Sequence, residues 1–262
     1  MRSQFLTLGA VAVLVGFGAS GSTANVPLVG APAVVAAAPT VISAPDTSPA
    51  DARAALVKSA LSELSGYVKE QSNDVALRSA VTAYYAFKAA HPEEIRKPYF
   101  YYVDYGLSGR TPRGYVFNME TLKLVEGPFT VAHGRGSGPK YSVPKSFSNR
   151  PGSAATSLGL YVTQETYGFS GKSGGVHYTS IGLRMAGESG RYNSNARQRG
   201  VVVHGAPYVT ASGSGRSEGC PAMEQRRARR LLPMLAHGAV VFQFSPHDQN
   251  WLRNDPWVNA GS

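Results

Sequence analysis

The segment 203-VHGAPYVTASGSGRSEGCPAM-223 runs from the end of an apolar stretch to the only cysteine of the chain. Upstream, Gly200-Val201-Val202-Val203 is a β-branched run and predicts a strand that ends at His204-Gly205. A Gly/Ser-rich loop then returns to Gly219-Cys220-Pro221. Proline favours the first turn of a helix, so 220-CPAMEQRRARRLLPML-235 reads as a helix with Cys220 at or just before its N-terminus. Unpaired N–H groups and the positive helix end would lower the thiol pKa there, and the N–H of Gly219 or Cys220 would face a developing oxyanion. Arg216 adds positive potential. His204, at a strand end before a flexible loop, suits a base that later returns its proton. Singly, each residue has an ordinary explanation: a lone cysteine packs as a small hydrophobe, and a strand-end histidine hydrogen-bonds locally. Together they point to thiol chemistry.

Working outward, the chain from Pro98 onward alternates short β-rich runs with turns. The runs are 99-YFYYVDYG-106, 114-GYVFNMETLKLVEG-127 as a hairpin, 128-PFTVAHG-134, 158-LGLYVTQ-164, 176-VHYTSIGLRM-185, 200-GVVVHGA-206 and 239-AVVFQFS-245. Long Gly/Ser/Asn-rich loops at 134–157 and 186–199 separate some of them, and Gly134 to Gly138 reads as a flexible turn. This pattern predicts a mainly β fold, sandwich-like or barrel-like, with a helix after Cys220. Before it, 48-SPADARAALVKSALSEL-64 reads as a helix capped by Ser48, with Pro49 in its first turn. A second helix covers 74–90 and ends at His91-Pro92. The expected organisation is a signal peptide over 1–24, an Ala/Pro-rich linker over 25–47, a helical segment over 48–91 and a catalytic domain over 98–250.

The signal is read from a short basic start, the apolar stretch Phe5 to Phe17, and the small residues Ser22-Thr23-Ala24. The apolar stretch falls short of the ~20 residues of a spanning helix. An exported protein in the periplasm or cell envelope is therefore expected. An exported chain with one cysteine has nothing to pair it with, which leaves an intermolecular partner, an inert buried residue or a working thiol. The formal net charge is +10. For an exported protein this argues against nucleic acid and suits anionic envelope polymer or a membrane surface. A general solubility charge explains it equally. The run 226-RRARR-230 reads as a solvated helix face.

The segment 203–223 resembles the signature of the L,D-transpeptidase catalytic-domain family, the YkuD-like cysteine transpeptidases of bacterial cell walls. In that family a histidine, a loop of about fifteen residues and Ser-x-Gly-Cys follow one another, and His204, Ser217, Gly219 and Cys220 stand in those places. Gly215 to Ala222 resemble a divergent branch reading Gly-Arg-Ser-x-Gly-Cys-Pro-Ala. The likeness extends through 157–167 and 187–206, more loosely to His133-Gly134, and covers roughly 98–245. It implies a β-rich cysteine acyl-transferase acting on peptidoglycan stem peptides without a cofactor. Cys220 would form a thioester, His204 would shuttle the proton, and the carbonyl of Gly205 would steady the imidazole. An amine acceptor would give a cross-link, and water would give carboxypeptidase trimming.

Two positions depart from the family pattern. Many members carry histidine before the Gly-Cys pair, and this chain has Glu218, an unfavourable neighbour for a thiolate unless it points away or pairs with Arg216. Many have a basic or amide residue two places after the cysteine, and this chain has Ala222. Candidates to hold substrate are Ser217, Arg216, Tyr208, Arg199 and His133. His177, His237 and His247 have no partner pattern, and no metal-ligand spacing is present, so no metal is expected. Two other readings stay open. One is a thiol peptidase or amidase, disfavoured because the histidine precedes the cysteine. The other is a non-catalytic wall-binding protein that keeps the fold.

Overall fold

The computed structural model describes residues 48–260, and the expected signal peptide and linker lie outside them. The chain begins with α1 (Pro49–Leu64). The Ser48 hydroxyl oxygen accepts from the Asp51 N–H at 3.1 Å and Pro49 occupies the first turn, as the sequence expects. After a short 3-10 turn comes α2 (Ala76–Ala90), whose Leu77, Val81, Tyr84 and Phe87 are buried.

The strands follow: β1 (Tyr99–Asp104), β2 (Gly114–Asn118), β3 (Lys123–Phe129), β4 (His133–Gly134), β5 (Gly159–Ser173), β6 (Val176–Gly187) and β7 (Val202–Ala206). Then come the short β8 (Val209–Thr210), β9 (Gly213–Ser214) and β10 (Arg216–Ser217), and β11 (Ala222–Glu224). The chain closes with α3 (Gln225–Leu235), β12 (Val240–Phe244) and α4 (Gln249–Asn254). The fold is mainly β. Eight strands form one hydrogen-bonded sheet in the order β11-β7-β6-β5-β12-β1-β2-β3, and β4–β10 and β8–β9 form two small ribbons.

One continuous core joins the sheet to the helices. It includes Tyr84 and Phe87 of α2, Phe100 and Tyr102 of β1, Phe242 of β12, Leu231 and Leu235 of α3, and Trp251 of α4. Val258 packs against it too, so the core continues past the β-rich segment. No described helix is long and apolar enough to cross a membrane.

Three elements differ from the sequence reading. The run at 128–134 is divided between the end of β3 at Phe129 and the separate β4 at His133–Gly134. The run at 158–164 continues to Ser173 and pairs with β6 as a long arm, closed by a two-residue turn at Gly174-Gly175 with Ser173 opposite Val176. Alternating polar residues and glycine hide this strand in the sequence. The segment after Cys220 is not helical at first. Ala222–Glu224 is extended, parallel to β7, with Ala222 opposite His204, and the helix begins only at Gln225. Ala222 and Met223 bury their side chains at the sheet edge, and that burial outweighs the helix-start preference signalled by Pro221.

Candidate active site

Cys220 and His204 lie on adjacent segments at the β11–β7 edge of the sheet. Ala222 pairs with His204, and the His204 N–H donates to the Pro221 carbonyl at 3.3 Å. The Cys220 side chain is partly exposed. Its sulfur accepts from the Val202 N–H at 3.5 Å and its thiol donates to the Gly200 carbonyl at 3.7 Å. No hydrogen bond among the described residues joins the thiol to the imidazole.

The thiol is not at a helix N-terminus, which corrects the expectation of a lowered pKa. Burial raises it, the Val202 N–H and the Arg199 charge oppose the rise, and the Glu218 carboxylate adds to it.

His204 is 2% exposed. Its Nδ1 lies 3.1 Å from the Gly205 carbonyl oxygen, which can only accept, so Nδ1 carries the proton and Nε2 is left as an acceptor. Burial pulls the imidazole pKa down to about 4, against the Gly205 carbonyl, which favours the charged form. Phe169, on β5, stacks on the ring with centroids 4.1 Å apart and planes 19° apart. Tyr208 stands edge-on to it at 6.4 Å. Gly205 is packed against its neighbours, and a Cβ there would lie 2.4 Å from the Ser180 hydroxyl.

The turn that carries the thiol is fixed from within. The Ser217 hydroxyl donates to the Cys220 carbonyl at 2.6 Å and accepts from the Gly219 N–H at 3.2 Å. Ser217 thus closes the turn, and the Gly219 N–H is committed to it. The Cys220 N–H has no partner among the described residues and is the free donor beside the sulfur. Gly219 has φ +123° and a Cβ on it would meet the Ala155 carbonyl oxygen at 2.8 Å, so its part is conformational. Beneath it, β4 pairs with β10, and Gly134 is pressed against Gly219 and Ala154. The Thr156 hydroxyl accepts from the Gly134 N–H at 2.9 Å, and the buried Ser137 hydroxyl accepts from the Thr156 N–H at 2.9 Å. The segment expected to be a flexible turn at Gly134 to Gly138 is therefore packed at these points.

The remaining candidates separate. Arg199 donates to the carbonyls of Ser148 and Ala155, each at 2.7 Å, and to the Ser153 hydroxyl at 3.2 Å. It organises the loop beside the sulfur and supplies positive potential there. Arg216 is exposed, with no ion pair or side-chain hydrogen bond among the described residues. Glu218 does not pair with it. Its carboxylate accepts from Arg135 Nε at 2.8 and 2.9 Å and points away on an exposed rim.

His133 is corrected as a substrate contact. It is 0% exposed, its Nδ1 accepts from Arg113 at 3.0 Å, and its Nε2 donates to the Pro139 carbonyl at 3.2 Å. Burial, reinforced by Arg113, pulls its pKa down to about 4. Arg113 is itself fully buried and also donates to the carbonyls of Val131 and Leu107. The sequence reading missed Phe169, Arg113, Thr156 and Arg135. Only Phe169 carried a signal, as an aromatic two residues after Tyr167. Elsewhere, His91, Glu93 and Glu94 bring one ligand atom each within 4.8 Å of one another on a partly exposed turn after α2, with His91 Nδ1 4.0 and 3.5 Å from the two carboxylates.

A partly exposed cysteine and a tautomer-locked histidine on neighbouring segments at the edge of a mainly β sheet define a cysteine–histidine protein. Residues 68–244 match the model of the L,D-transpeptidase catalytic domain, more than half of the chain, and the chain belongs to that family. The matched residues take in α2, which the resemblance read from the sequence did not reach. Among solved structures, the L,D-transpeptidase from Mycobacterium smegmatis is 15% identical, over 56% of this chain and 58% of that one, with a TM-score of 0.36. An L,D-transpeptidase from Stackebrandtia nassauensis is 16% identical over 75% and 80% of the two chains, with a TM-score of 0.35. The match thus spans 58% of the Mycobacterium smegmatis chain. A comparison with curated proteins finds no match.

Proposed function

We propose that this protein is an exported L,D-transpeptidase that acts on peptidoglycan stem peptides through a thioester on Cys220. The observation that carries the reading is the His204 ring, fixed by Gly205 in the tautomer whose Nε2 accepts a proton, with the Cys220 segment paired alongside it. The reading requires the cysteine side chain to turn away from Gly200 so that the thiol meets Nε2. The sulfur attacks the carbonyl that joins the L-centre to the terminal D-Ala, and the thiol proton passes to Nε2. The C–N bond breaks, D-Ala leaves with that proton on its amine, and the acyl group stays on sulfur. The free Cys220 N–H faces the oxyanion. An acceptor amine then attacks the thioester, gives its proton to Nε2, and the thiol is restored. Water in place of the amine gives trimming. Arg216, unpaired on the rim, is the candidate partner for a stem carboxylate, with Tyr208 beside the imidazole. The apolar run at Phe5 to Phe17 supports export to the periplasm or envelope.

The engagement of the thiol with Gly200 and its raised pKa favour a second reading, a wall-binding module without turnover. Incubation with a carbapenem followed by intact-mass measurement separates the two. An adduct on the wild type that is absent from Cys220→Ala is expected. An unlabelled wild type overturns the transferase reading. Digestion of purified stem tetrapeptides, with the products analysed, then separates cross-linking from trimming.

A further inference from the structure

A cavity of about 670 Å³ opens between α1, α2 and the C-terminal segment. That is the size of a small-molecule site, about 300–1,000 Å³. Its floor is a single stripe of α1: Ala50, Ala54, Val57 and Leu61 recur every three or four residues and run about 16 Å along the helix. Val258 and Ala260 also line it. Arg53 and Lys58 flank the stripe on either side, and Arg78 reaches in from α2. Among the described residues no acidic side chain lines this cavity. None of the three cations makes an ion pair or a side-chain hydrogen bond among the described residues.

Of the nearby acids, Asp74 lies in the adjoining cavity beside Lys58 and Arg78 and outside the apolar stripe. Asp51 is engaged in the α1 cap, and Glu63 is not among the lining residues. Lys58, Leu61 and Arg78 also border a second cavity of about 320 Å³, lined further by Ser62, Ser65, Gln71, Asp74 and Leu77. The two cavities share these three residues, so cations stand along the apolar stripe and at the junction.

We propose that this groove binds a single-chain amphiphile with a phosphomonoester head, a function separate from the thiol chemistry. The apolar stripe gains by covering its side chains with a hydrocarbon tail. A phosphomonoester carries about −1.5 to −2 charges and answers two guanidiniums and an ammonium better than one carboxylate does. The guanidinium fork matches phosphate oxygens in pairs. Free phosphate leaves the stripe wet, and an uncharged amphiphile leaves the cations without a counter-ion.

The test is titration of the purified full chain with dodecyl phosphate below its micelle-forming concentration. Binding is followed by calorimetry and by the fluorescence of Trp257, which is partly buried beside Val258. Saturable one-to-one binding is expected, with Arg53→Gln/Arg78→Gln weakened about tenfold or more. Arg78 is exposed and Arg53 partly exposed, and circular dichroism checks that the variant folds. The proposal is overturned if dodecyl phosphate shows no saturable binding, or binds the double variant as tightly as the wild type. It is equally overturned if dodecyl maltoside binds as well, which marks an apolar face only, or if inorganic phosphate alone binds as well, which marks a simple anion site. Carbapenem labelling of Cys220 is independent of every arm.

Discussion

At the residue scale, the site is governed by what surrounds two side chains. The imidazole of His204 is neutral because it is buried, and its proton sits on Nδ1 because Gly205 offers only an acceptor. Phe169 supplies one wall of that burial. Phe169→Ala opens the wall to water and should move the His204 titration midpoint from about 4 up toward the ordinary 6.5, read by imidazole NMR shifts across a pH series. Phe169→Tyr keeps the stack and should leave the midpoint near its wild-type value. An unmoved midpoint in the alanine variant would assign the burial to other groups. Glu218 belongs to the same scale. The sequence raised it as a problem for a thiolate, and its bidentate bond to Arg135 turns the carboxylate onto the rim and leaves Arg216 free.

At the scale of elements, the thiol rests on backbone packed against backbone. A Cβ on Gly134 would stand 2.3 Å from the Ala154 carbonyl oxygen and 2.8 Å from Gly219 Cα. Gly134→Ala should therefore cost about 1–3 kcal/mol in chemical denaturation and slow carbapenem labelling, because the clash pushes on the Cys220 turn. Gly66→Ala, with nothing within 4 Å of the new carbon, is the control and should change neither. The sequence showed much at this scale and concealed some of it for physical reasons. The strands at Tyr99–Asp104 and Val240–Phe244 were legible because they are apolar runs between turns. The outer half of β5 was not, since Gly168, Ser170 and Lys172 face solvent and Gly171 and Ser173 on the other face are not apolar. Ala222–Glu224 was read as helix because Pro221 is a local cue, whereas the pairing with β7 is set by residues far upstream. The motif placed Cys220 and His204 on neighbouring segments, but the partners of the sulfur depend on side-chain rotation, which sequence does not encode.

At the scale of the whole molecule, two buried neutral histidines tie stability to pH. His133 and His204 are each held near a pKa of about 4, below the 6.5 of an unfolded chain. The unfolded state takes up their protons first, so their burial costs nothing above pH 6.5 and penalises the fold increasingly as pH falls toward 4. Each contributes a loss of about 3 kcal/mol by the low end of that window. The denaturation midpoint should therefore drop between pH 7 and pH 4.5, and His133→Gln should flatten part of the fall. A midpoint unchanged across that interval would mean that the rings are hydrated in solution.

The thiol turn feeds the outermost strand of the main sheet, β11, which has β7 as its single neighbour there. The sulfur is sheltered only once that edge has closed. In an oxidising medium, a chain arrested before that step has no second thiol of its own to react with. A disulfide on this sulfur therefore needs a thiol from another molecule, and closure of the edge lessens the exposure that such a reaction requires.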